Sequence, residues 1–190
     1  MANERKTPAA GGAGTGGQGG TVAQPPFLRG RVQGAGLLPS AWWRGLEEVR
    51  EMADRWAGDL GREAFWWVPG PEMNPIGGLL RHIAGSSLRL LCYAVGEPIP
   101  DELRARAREE LKPSPEVEPA QVLRQFHEEV ARVQERIRGL SDADLAAQRV
   151  VGRQQVPAEA AFILHHLVEH AQHHMGQVIV LRKLWNATHM

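Results

Sequence analysis

Five of this chain's eight histidines stand within ten consecutive residues, HHLVEHAQHH, as His165, His166, His170, His173 and His174. Neutral imidazole is the commonest side-chain metal ligand in proteins. Residues four apart share one face of a helix. His166, His170 and His174 therefore form a row, with His173 and Gln177 flanking it. At about 100° per residue, His170 and His174 differ by only about 40° in direction. They can converge on one ion, as the H-x-x-x-H pair of helical zinc enzymes does. His165 points away from that row.

Two ligands rarely hold a metal tightly, and a reactive zinc-type site needs about three protein ligands and an open position. Three histidines lie outside the cluster. His189 is at the C-terminal end, and His127 sits beside Glu128 and Glu129 near a charged face. His82 is in mid-helix, with Leu79, Ser86 and Leu90 around it, and is the best third ligand. Residue types alone leave another reading open. In it, His82 is a hydrogen-bonded, half-buried core residue and the H-x-x-x-H pair an ordinary surface feature.

These residues need helices to hold them. Ile163, Leu167, Ala171, Val178 and Leu181 form an apolar stripe beside the histidine row, in a helix predicted to open at Pro157 and reach about Trp185. A helix from Ser40 to Gly61 carries Trp43, Leu46, Val49, Met52, Ala53 and Trp56 at helical spacing, with Ser40 as its N-cap. Asn74 as N-cap and Pro75 behind it open a second helix, which runs to Gly96 and contains His82. Its glycines at 77, 78 and 85 weaken it but admit a close neighbour. Pro119 to Gly139 is the third helix. Between the second and third, DELRARAREEL is too polar for a core and reads as a surface connection. VVGRQQ suggests an extended piece, but no convincing strand pair is predicted. The sum is an all-α four-helix bundle. It spans residues 37–190, behind a flexible tail of residues 1–36 rich in Gly, Ala and Pro, with loose structure at most around Phe27 and Leu28.

Composition narrows the function classes. Twenty-two basic and 22 acidic residues give no net charge, so a nucleic-acid partner is not expected. No apolar run is long enough for a transmembrane helix, and no secretory leader is evident, so a soluble cytoplasmic protein is expected. A single cysteine, Cys92, excludes an internal disulfide and any CxxC motif, and reads as packing.

NPIGGLLRHIAGS in the second helix and HLVEHAQHHMGQVIVLRK in the fourth resemble the DinB/YfiT-like family, over roughly residues 38 to 186. That family is distinct from the DNA polymerase of similar label. The resemblance implies a four-helix bundle with a divalent metal, Zn²⁺ or Ni²⁺, between helices. It implies His82, His170 and His174 as the ligands. His166 and His173, with Gln177, are then supporting residues around them. Many relatives carry a basic residue where Met175 stands. The branch that isomerises maleylpyruvate with mycothiol has Glu at the position of His170. The three-histidine set is closer to the bacillithiol-transferase and DinB branches.

The activity so implied is transfer of a low-molecular-weight thiol to an electrophilic small molecule, in a stress or detoxification role. Arg89 and Tyr93 follow His82 on nearly the same face and are expected to contact the substrate, Arg89 at a carboxylate and Tyr93 as a proton donor. A metal-dependent hydrolase and a non-enzymatic metal- or ligand-binding bundle stay open as alternatives. The resemblance also implies a homodimer.

Overall fold

The computed structural model describes residues 24–189. Four long helices build it: α1 (Leu37–Ala57), α3 (Ile76–Val95), α5 (Pro119–Arg138) and α7 (Ala160–His189). Short helices α2 (Arg62–Trp66), α4 (Asp101–Arg106) and α6 (Asp142–Leu145) lie in the connections. The fold is the all-α bundle expected. Helices α3 and α1 each pack against both α5 and α7, so α1 and α3 face each other across a diagonal, as do α5 and α7. Ser86 meets His170 and His82 meets His174, so α3 and α7 run antiparallel.

Helix periodicity explains the core. Leu46, Val49, Ala53 and Ala57 of α1 are fully buried. So are Leu79, Leu80 and Ile83 of α3, Phe126, Val130 and Val133 of α5, and Leu167, Ala171 and Val178 of α7. The stripe read from α7 is buried along its whole length. Each such Leu, Ile or Phe is worth about 1.5–3 kcal/mol of transfer free energy. Trp42, rather than Trp43, turns into the core of α1.

Several local expectations need correction. Helix α1 begins at Leu37 behind Gly36, and Ser40 lies buried in its first turn. The Ser40 Oγ accepts from the Val32 N–H at 3.1 Å, so it caps the incoming chain. Pro75, not Asn74, is the N-cap of α3, and no side chain caps that end. A strand pair does form: β1 (Gln148–Val151) and β2 (Val156–Glu159) make an antiparallel hairpin. Gly152, at φ 71°, supplies the left-handed residue its turn requires. Pro157 sits in β2, whose edge position tolerates the missing N–H, and α7 starts only at Ala160.

Residues 1–23 of the expected tail lie outside the described residues. Residues 24–36 run along α1: Pro26 is buried, Arg29 pairs with Glu47 and Glu51, and Arg44 donates to the carbonyls of Gly30 and Arg29. The charged face of α1 holds this segment where composition suggested looseness.

The greatest departure is the connection between α3 and α5. It is polar, yet Leu103 and Glu110 are buried. Arg81 of α3 donates to the carbonyls of Glu109, Glu110 and Lys112 and to Ser114 Oγ, which satisfies backbone groups that a loop over a core would otherwise strand. The Trp66 Nε1–H donates to the Val117 carbonyl at 2.9 Å. The glycines of α3 receive this connection. A Cβ on Gly78 would press on the Leu111 backbone, and one on Gly85 would overlap the Glu110 carboxylate.

Candidate metal centre

His82, His170 and His174 come together between α3 and α7. Their ring centroids are 5.1, 4.8 and 4.5 Å apart, and one ligand atom from each lies within 4.8 Å of the other two. The Nε2 atoms of His170 and His174 are 3.2 Å apart. Two imidazoles bound at about 2.05 Å on a tetrahedral ion would stand about 3.3 Å apart. The cluster is therefore compatible with a divalent metal. All three rings are half-buried at the edge of the core.

The second nitrogen of each ring is occupied. Glu110 accepts from His82 Nδ1–H at 3.1 Å. Burial alone would raise the pKa of Glu110, but the Arg89 guanidinium and the His82 ring outweigh it and hold it at about 2. Glu110 is therefore an acceptor only, and the proton on His82 must sit on Nδ1. Ser86 Oγ donates to the Ile83 carbonyl at 3.2 Å, which leaves its lone pairs to accept from His170 Nδ1–H at 3.2 Å. The Gln177 Oε1 accepts from His174 Nδ1–H at 2.8 Å. All three Nε2 lone pairs are then free. A ring N–H held by a carboxylate, hydroxyl or carbonyl is the usual outer partner of a metal-ligating histidine.

Electrostatics favour neutral rings at His170 and His174. Burial, and then the neighbouring rings of His174 and His82, lower the pKa of His170 to about 4. Burial likewise lowers that of His174, against the opposing pull of Gln177.

The remaining expected residues are placed differently. His166 and His173 are exposed, with ring centroids 5.8 Å from His170 and 5.4 Å from His174 respectively. Gln177, also expected as a supporting residue, touches His174 directly. Arg89 does not face open solvent for a substrate carboxylate. It grips Glu110 through two bonds of 2.6 and 2.8 Å. Tyr93 lies half-buried against the core, eleven residues and so about 16 Å along the helix from His82. The rise along α3 separates it from the cluster.

Two contributors were missed in the sequence. Glu110 and Arg106 lie in the connection that composition assigned to the surface. Arg106 forks onto Glu129 of α5 at 2.6 and 2.8 Å and lies 3.6 Å from Glu110. Gly85, three residues past His82, was the available signal: a glycine on the ligand face leaves room for another group to reach the ring.

No curated protein matches the chain significantly. A family model described as the DinB superfamily matches residues 45–178, which contain all three clustered histidines. The chain belongs to the DinB superfamily.

Proposed function

We propose that this protein binds a divalent metal, Zn²⁺ or Ni²⁺, through His82, His170 and His174, and transfers a low-molecular-weight thiol to an electrophilic small molecule. One observation carries the metal reading: every Nδ1 of the three rings has its own acceptor, which leaves three Nε2 lone pairs free in rings that each bring a ligand atom within 4.8 Å of the other two. Such an ion, when bound, supplies a Lewis acid that lowers the pKa of a thiol or water in its open position. The chain's own part is to orient three neutral ligands. Glu110 fixes the tautomer and plane of His82, Ser86 those of His170, and Gln177 those of His174. Because the ligands are neutral, they leave the ion its full charge. Membership of the superfamily and a ligand set of three histidines support the thiol reading.

Elemental analysis of the wild type and of His82→Ala, His170→Ala and His174→Ala is the first test. One metal per wild-type chain and loss in each variant are expected, and equal content in all four would overturn the ligand set. Transfer of thiols to a chloro-dinitro-aromatic acceptor by metallated protein is the second. Turnover of esters or amides with no thiol activity would favour a hydrolase, and tight metal binding without any turnover a non-enzymatic role.

A further inference from the structure

A cleft of about 330 Å³ lies between α7 and the segment that leads into α3. Leu79, Val180, Leu181 and Met73 give it apolar walls, and Gly176 leaves its α7 side open. Leu79 precedes His82 by three residues and Gln177 follows His174 by three, so the cleft adjoins the histidine cluster, about 4.5 Å along both helices. Its size is at the lower end of small-ligand sites, and its walls have the apolar character of such sites.

The polar groups of the cleft define a ligand. Asn74 is not used as a helix cap and makes no side-chain hydrogen bond among the described residues. Gln177 commits its carbonyl to His174, which leaves its NH₂ to donate. Glu72 and His173 complete the rim. No Lys or Arg lines the cleft. The two nearest arginines on α3 are engaged elsewhere, Arg89 by Glu110 and Arg81 by the connection. In the metal-free protein an anion entering here would give up water and meet no cation among the lining residues, while an amide donor satisfies a neutral acceptor.

We infer that this cleft is the acceptor-binding site, and that its own walls select an uncharged, compact, largely apolar molecule bearing a carbonyl-type acceptor over a carboxylate. The inference rests on the proposed function only in that the reacting group of the molecule reaches the histidine cluster.

Gly176 provides a clean test, because a Cβ added there would meet no atom within 4 Å. Gly176→Leu fills the cleft without touching the core, and leucine is the better helix former. Full-length protein, as purified and after metal removal, is titrated with benzamide and benzoate, two probes of equal size. Backbone amide shifts of Leu79, Gly176 and Gln177 are followed by NMR, and metal content is measured on the same samples. Benzamide is expected to shift these amides in both samples and, in metal-free protein, to bind at least tenfold more tightly than benzoate. Gly176→Leu is expected to weaken benzamide at least tenfold with metal content and melting temperature retained. Benzoate binding metal-free protein as tightly as benzamide does, or benzamide binding undiminished in Gly176→Leu, overturns the inference. Absence of metal from every sample would instead refute the proposed function, while the titration of metal-free protein would still decide the cleft.

Discussion

Glu110 and Glu129 are both buried carboxylates, 1% and 5% exposed, and both are gripped by a forked arginine at 2.6 and 2.8 Å. Glu129 belongs to α5, takes its arginine from the connection, and is joined by Gln125 of its own helix at 3.0 Å. It fastens the connection to the bundle. Glu110 belongs to the connection, takes its arginine from α3, and spends its remaining capacity on His82. The same ion-pair chemistry thus does two jobs, one structural and one directed at a ring of the proposed site. A forked pair by itself says nothing about function; the third partner does.

Breaking each carboxylate separately should divide these jobs. The largest effect is expected for Glu110→Ala. It leaves Arg89 without a partner in a partly buried place, at a cost of about 3–5 kcal/mol, and should weaken metal binding about 10–100-fold by releasing His82. Glu129→Ala should cost a similar amount of stability with metal affinity within about twofold of wild type. Chemical denaturation and competitive metal titration of both variants measure the two quantities. Equal metal affinity in the two variants would end the distinction drawn here.

Gly85→Ala sharpens the comparison without removing any charge. The added methyl occupies the place of the Glu110 carboxylate. A loss of about 1–3 kcal/mol is expected from overpacking, with a fall in metal affinity that the same change at the cleft-lining Gly176 does not produce.

Acid should act on the proposed site in two steps. The unfolded chain protonates His170 near its ordinary pKa of 6.5, whereas the folded protein does so only at about 4. Between those values the unfolded state holds more protons, so metal-free protein should lose stability as pH falls from about 6.5 toward 4. Glu110, at about 2 when folded, adds a second loss as pH falls below its ordinary value of about 4.5. Denaturation at several pH values checks this. His170→Gln should flatten the upper window and leave the lower one, and an unchanged upper slope would contradict the role given to His170.

The smallest effects belong to the other two ring partners. Ser86→Ala removes the acceptor of His170 Nδ1 from a buried place and should weaken metal binding about tenfold, near the lower end of such effects. Gln177→Leu removes an exposed acceptor that water can replace, so about threefold is expected.

Legibility followed the range of the interactions. His170 and His174 sit one turn apart on one helix, and that relation is set by the 3.6-residue repeat, so spacing alone placed them on a common face. The apolar stripes of α1, α5 and α7 were equally open to reading. Pro119 marked its helix start through local chemistry. The hairpin at 148–159 was missed because its four-residue strands carry little alternation of their own.

By itself the sequence determined four helices, the faces they bury, and a histidine pair with one-turn spacing, because all of these depend on neighbours within a few residues. The sequence could only nominate His82 as the third partner; the tertiary structure decided that it meets that pair, that Arg89 turns to Glu110, and that a polar connection sends one carboxylate into the bundle. These contacts join residues 21 to 92 positions apart. No local periodicity encodes them; they form only when α3 and α7 pack antiparallel and when Gly78 and Gly85 let the connection close upon α3.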